Sequence, residues 1–181
     1  MTTAELTRNN IPPSIRPATI ADAARLAEIH IFGWRAAYQD LISEEYLFAS
    51  LSVYKRVASL AKALDPNLSE KPEETWVCER GLAIQGFMTV GSCRDDDKPD
   101  GFELMGLYMD PLLRRRGSGS ALVVRCEELA RQRGYREIFL WVLAENHPAR
   151  RFYEQAGYQP EGKSQLLEKF GLEEVRYVKL L

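Results

Sequence analysis

The segment Arg114-Arg115-Arg116-Gly117-Ser118-Gly119 sets three guanidinium groups beside two glycines spaced two residues apart. Glycine lets the backbone approach a bulky ligand closely, and arginine adds charge-assisted hydrogen bonds to phosphate oxygens. With a helix starting at Gly117, the first N–H groups have no internal partner and the helix dipole is positive there. Such a turn suits a pyrophosphate. Taken alone, RxxGxG equally fits a solvated basic bend. Two other nucleotide-binding patterns are excluded. The chain has no GxxxxGK[ST], and Leu122 stands where a dinucleotide fold needs its third glycine.

The remaining reactive side chains give weaker signals. Cys78, Cys93 and Cys126 are odd in number and far apart, so they form neither a disulfide framework nor a CxxC metal pair. Cys126 falls on the apolar side of a predicted helix, which reads as a buried thiol rather than a nucleophile. His30 and His147 are too isolated for a zinc site, and no metal is expected. Trp34 and Tyr38 stand at i, i+4, a spacing that serves plain helix packing. Asp40, Glu44 and Glu45 follow and can attract a cation, although such runs are usually just solvated.

Residues 1–13 are polar and end in Pro12-Pro13, which reads as an N-terminal arm ahead of one domain over 14–181. Ser14 to Pro17 is a short strand that Pro17 confines to an edge or an end. Thr19 followed by Asp22 starts a helix carrying Leu26, Ile29, His30, Gly33, Trp34 and Tyr38. A second helix covers roughly 52–64. Thr75 to Glu79 and Ile84 to Val90 read as a hairpin turning near Arg80-Gly81, and 95–101 is an acidic loop. Phe102 to Met109 is a strand, and Gly117 to Arg133 is a helix. Ile138 to Leu143, apolar throughout, is a strand buried on both faces. Asn146 to Ala156 is a short helix, followed by strands near Tyr158 and over 175–180. The order β α α β β β α β α β β implies an α/β domain whose central strand–helix–strand crossover pairs in parallel, with antiparallel hairpins on either side.

At 181 residues, with 45% hydrophobic and 28% charged residues, the chain has the size and composition of one globular domain. The net charge of −2 argues against nucleic acid as the main partner. No stretch approaches the length needed to span a membrane, and the first ten residues lack an apolar leader core. The expectation is therefore a cytoplasmic protein with no membrane partner.

The block from Leu107 to Leu122 (LYMDPLLRRRGSGSAL) resembles the acyl-CoA segment of the GCN5-related N-acetyltransferase (GNAT) superfamily. The block from Asn146 to Tyr158 (NHPARRFYEQAGY) is similar to its asparagine–tyrosine helix, and Ile15-Arg16-Pro17-Ala18-Thr19 to its start. The resemblance spans about residues 14–181. It implies a single GNAT domain with a mixed, mostly antiparallel sheet splayed between the fourth and fifth strands, flanked by about four helices. Acetyl-CoA, as co-substrate, would lie in the gap. Its pantetheine arm would meet the backbone around Leu107, Tyr108 and Met109, its pyrophosphate would meet Arg114 through Ser120 (Arg114, Arg115, Arg116, Gly117, Ser118, Gly119, Ser120), and Asn146 would hold its far end. An amide-bearing arm bonding an open strand edge is also sound physically.

The resemblance implies that Tyr153 protonates the departing thiolate. By spacing alone, Tyr153 shares a helical face with Ala149, Phe152 and Ala156 and reads as core. An amine nucleophile with a pKa of about 10.4 must also lose a proton near neutral pH. Glu103 is the candidate base, directly or through water, since strand alternation puts it on one face with Met105 and Leu107 unless a β-bulge near Leu107 intervenes. Where ribosomal-protein acetyltransferases carry a glutamate, this chain has Trp141, which argues against that substrate class. The family's acceptor groove implies substrate contacts at Trp34 and Tyr38. The expected function is acetyl transfer to a primary amine of a small molecule or peptide, in a ternary complex. The alternative is a catalytically silent acyl-CoA-binding module, against which the presence of both Tyr153 and Glu103 argues. A homodimer is left open.

Overall fold

The structure, a computed structural model, describes residues 12–68, 73–113 and 117–181. Most of the N-terminal arm (1–11) and the arginines Arg114, Arg115 and Arg116 lie outside the described residues. Along the chain come β1 (Ser14–Pro17), α1 (Ala23–Tyr38), α2 (Val53–Leu64), β2 (Glu74–Arg80), β3 (Ala83–Ser92), β4 (Phe102–Met109), α3 (Ser118–Gln132), β5 (Glu137–Leu143), α4 (His147–Gln155), β6 (Gln159–Leu167) and β7 (Leu172–Leu180). The strands form one seven-stranded sheet in the order β1-β2-β3-β4-β5-β7-β6. Only β4 and β5 run parallel.

The sequence expectations hold for the order and type of these elements. Pro17 ends an edge strand, as its missing N–H requires. Thr19 and Asp22 form a capping box: the Asp22 carboxylate accepts from the Thr19 N–H (2.8 Å) and hydroxyl (3.0 Å). The Arg16 guanidinium grips the same carboxylate at 2.8 and 2.9 Å, joining β1 to the start of α1 and holding the Asp22 carboxyl down at about 2. The structure departs from expectation at two places. Glu45–Ser50 forms a π-helical turn between α1 and α2, and β7 begins at Leu172 rather than 175; the strand expected near Tyr158 is β6, with Tyr158 itself buried in the core just before it.

Helices cover both faces of the sheet. Beneath it, Leu122, Val123, Cys126 and Leu129 of α3 pack on Phe102, Leu104, Ile138 and Leu140. Above it, Ala23, Leu26, Ala27 and Ile29 of α1 and Leu60 of α2 pack on Val77 and Phe87. Among the described residues no helix is long and apolar enough to cross a membrane.

Candidate active site

The site follows from how β4 and β5 part. They pair only at Phe102–Ile138 and Glu103–Phe139, whereas β3 follows β4 out to Met109 and β7 follows β5 out to Leu143. From Leu104 onward the β4 edge that faces β5 has no strand partner. The opening is a cleft of about 150 Å³ walled by Leu104 to Tyr108, by Trp141 to Leu143, and by Asn146 and Tyr153. This is the splay between the fourth and fifth strands expected above, and its free backbone edge can bond an extended chain of amides.

A bulge in β4 decides which side chains face where. Val90 pairs with Leu104 but Thr89 pairs with Gly106, so Met105 is the extra residue. Phe102 and Leu104 face α3 before the bulge; Leu107 and Met109 face it after. Tyr108 turns to the opposite face, where its ring meets His30 of α1 at 4.6 Å and Phe87 at 5.2 Å. Gly106 makes room for that ring, because a Cβ there would lie 2.8 Å from it. The alternation that put Glu103 on one face with Leu107 is thereby corrected, since the parity breaks at Met105. Glu103 is instead 2% exposed and held by Arg94, whose backbone N–H (3.1 Å), Nε (3.0 Å) and Nη2 (2.6 Å) all donate to its carboxylate. It does not line the cleft.

Tyr153 does line the cleft. Although 8% exposed, its hydroxyl takes no hydrogen bond from any described residue. Burial, reinforced by Tyr38 and Tyr108, holds its pKa well above the ordinary tyrosine range, so the hydroxyl keeps its proton. Asn146 caps α4 by accepting from the Ala149 N–H at 3.3 Å, and its amide donates toward the Tyr38 hydroxyl at 3.5 Å. One side chain from the expected cofactor set and one from the expected acceptor set therefore meet at the cleft.

The glycine turn opens α3 at the end of β4. Gly117 adopts φ +79°, a left-handed conformation that favours glycine, and the first helical bond runs from the Ala121 N–H to the Gly117 carbonyl. The N–H groups of Ser118, Gly119 and Ser120 therefore precede any intrahelical partner. A Cβ at Gly119 would meet Phe152 at 3.5 Å and Met109 at 3.8 Å, which places this turn against α4 and the cleft end of β4. Gln85 of β3, 2% exposed, clamps both sides of the turn. Its carbonyl accepts from the Asp110 N–H (2.9 Å), and its side-chain oxygen accepts from the Ser118 hydroxyl (2.5 Å). Arg25 of α1 adds an ion pair to Asp110. Nothing in the sequence pattern singles out Gln85, because its partners lie far along the chain.

At the other end, Trp34 and Tyr38 of α1 enter the cleft with Glu174 of β7. The β6–β7 turn folds over this end: Phe170 stacks with Trp34 at 6.0 Å and with Tyr46 at 4.7 Å. Of the other reactive residues, Cys126 of α3 lies in the core, and His30 packs behind the cleft against the Tyr108 and Trp34 rings. Burial pushes Cys126 up to about 12 and His30 down to about 3, so neither a thiolate nor an imidazolium forms near neutral pH. His147 is exposed beside Glu145.

The sequence model of the acetyltransferase (GNAT) family matches residues 28–158. The chain belongs to the GNAT acetyltransferase family. It is 30% identical over 150 residues to the uncharacterized N-acetyltransferase YuaI of Bacillus subtilis, covering 82% of this chain and 80% of that one. Its fold is similar to that of the PaiA N-acetyltransferase of Thermoplasma acidophilum in complex with coenzyme A (TM-score 0.72, 20% identity, 94% of this chain and 100% of that one). It also resembles YncA, a putative acetyltransferase of Salmonella typhimurium solved with acetyl-CoA (TM-score 0.65, 21% identity, 93% and 94% covered).

Proposed function

We propose that the chain transfers the acetyl group of acetyl-CoA to a primary amine by direct attack in a ternary complex. The observation that carries this reading is the β4–β5 splay, which leaves the β4 edge open beside a protonated, unpartnered Tyr153 hydroxyl. The pantetheine arm pairs with the β4 edge around Leu107, Tyr108 and Met109. The pyrophosphate takes the N–H groups of Ser118, Gly119 and Ser120 at the Gly117 turn, with Arg114, Arg115 and Arg116 supplying charge. The neutral amine attacks the acetyl carbon, forming the C–N bond as the C–S bond breaks. The thiolate takes the Tyr153 proton, the amine nitrogen releases its own proton to water in the cleft, and the Tyr153 oxygen takes a proton back from that water to complete the cycle. The products are the acetamide and coenzyme A.

Glu103 enters as a residue that fixes β4 through Arg94, because both of its oxygens are engaged and it is not among the residues that line the cleft. That placement also supports a second reading, a CoA-binding module without turnover, since the carboxylate expected as base is withdrawn. Thiol release from acetyl-CoA across a panel of amines separates the two. Amine-dependent release that is lost in Tyr153→Phe supports catalysis, whereas micromolar CoA binding with no release on any amine supports the module.

A further inference from the structure

The acceptor end of the cleft has a chemistry of its own. Glu174 is the carboxylate among the side chains lining it, set with Trp34, Tyr38 and Tyr108. It sits on β7 opposite Leu143 of β5, half-buried. One of its oxygens accepts from Gln165 Nε2 at 3.2 Å, and the other takes no hydrogen bond from any described residue. Burial chiefly raises the pKa values of the Tyr38 and Tyr108 hydroxyls, and the Glu174 charge adds a smaller push in the same direction. Aromatic faces and a carboxylate together hold an organic cation, the rings through cation–π attraction and the carboxylate through a charge-assisted bond. The fold already shows a primary ammonium held on rings beside this end. Lys169 Nζ sits 4.5 Å from the centre of the Tyr46 ring and 5.5 Å from that of Phe170, donating to the Tyr46 hydroxyl at 3.0 Å.

We infer that the acceptor is a small aliphatic amine carrying a second positive charge, one ammonium held by Glu174 and the Trp34–Tyr38 rings while its other amine, unprotonated, reaches the acetyl carbon beside Tyr153. This rests on the acetyl-transfer reading and narrows its acceptor. The whole cleft, which the pantetheine arm would share, measures about 150 Å³, and what is left of it favours a short, flexible molecule over a folded protein segment. The exposed carboxylates of Asp40, Glu44 and Glu45, just past α1, steer a cation toward the same end. The donor turn at the opposite end suits an anion, so the two substrates are sorted by charge.

The test compares 1,4-diaminobutane with butylamine, equal in carbon chain and differing by one ammonium. Wild-type protein is expected to favour the diamine at least tenfold in kcat/KM, mainly through KM. Glu174→Gln should raise the diamine KM about tenfold and shrink the preference below threefold, Glu174→Asp should restore part of it, and Glu173→Gln, at an exposed neighbour, should leave it intact. Calorimetric titration of the diamine into CoA-saturated protein should give binding that Glu174→Gln weakens, with CoA affinity unmoved. Turnover of both amines at equal KM, or an undiminished preference in a folded Glu174→Gln variant, overturns the inference while leaving acetyl transfer standing. Glu174-dependent diamine binding with no thiol release on any amine overturns acetyl transfer and leaves the cation site. Absence of both binding and release removes both.

Discussion

Tyr153→Phe deletes one hydroxyl that bonds to no described residue, so its effect on stability should be small and its effect on chemistry large. A positioned general acid contributes about 10²- to 10⁴-fold, and kcat is expected to fall by about 100-fold with the KM for acetyl-CoA changed little. Stopped thiol-release assays alongside a thermal melt check this. An equal loss of folding would make the residue merely structural. Glu103→Gln should behave in the opposite way. It weakens the Arg94 clamp on a carboxylate 2% exposed, costing about 2 kcal/mol, while kcat changes less than threefold and its pH profile stays put. A hundredfold loss of kcat in a stable variant would restore Glu103 as the base. Burial raises Tyr38 to about 12, so the folded state binds its proton more tightly than the unfolded chain does. Its contribution to stability is complete below about pH 10 and is lost as pH rises toward 12, which denaturant titration in alkaline buffer detects.

Between the residues and the molecule lie the turns that aim them. Gly117 at φ +79° sits in open space, so Gly117→Ala meets no neighbour but takes on the left-handed strain of an L-residue, about 1 to 2 kcal/mol. A lower melting temperature with weaker CoA binding is expected. Gly119→Glu differs, since a Cβ is accommodated there at ordinary distances. It places a carboxylate at the proposed pyrophosphate site, and CoA binding should vanish while the melt is kept. Unchanged CoA affinity in calorimetry would remove the phosphate assignment. Gln85→Ala frees the buried Ser118 hydroxyl and loosens the turn from β3, so the Kd for CoA should rise about tenfold. At the start of α1, Asp22 carries the capping box and the Arg16 pair. Its carboxyl is depressed to about 2, so that stability is present above pH 4 and is lost as pH falls through 2.

Across the whole sheet, the β4–β5 gap needs both flanks held. β3 and the α1 aromatics hold β4; β7 holds β5. Arg176 of β7, 2% exposed, joins that flank to the 93–101 segment through Asp95 (2.7 Å) and Asp97 (2.8 Å) and to β6 through Glu161 (2.5 Å). Asp95 in turn accepts from the Trp141 indole N–H at 3.1 Å, so the network also sets a wall of the cleft. Arg176→Met removes the buried guanidinium that ties Asp95, Asp97 and Glu161 together, although Asp97 keeps Lys163 and Glu161 keeps Lys98, and is expected to cost about 2 kcal/mol, read as a shifted denaturant midpoint. It should also raise the acceptor KM through Trp141. A melt unchanged from wild type would show that the network is solvated rather than structural.

Local order was legible along the chain because it is set by neighbours: the Thr19–Asp22 box, the glycine turn before α3, the Asn146 cap and the apolar run of β5 each act within a few residues. Periodicity likewise specified the order of strands and helices, and the two motif blocks pointed to an acyl-CoA cleft between β4 and β5. What stayed out of reach depends on residues distant in sequence. The extra residue at Met105 is invisible until β3 sets the register, and with it went the facing of Glu103. Gln85 and Glu174 acquire their roles only because the sheet brings β3 beside the glycine turn and β7 beside α1. The glycine turn and the Asn146 helix start were written in contiguous residues and could be read from them. The cleft they border is assembled from α1, β4, β5 and β7, and only the tertiary fold composes it.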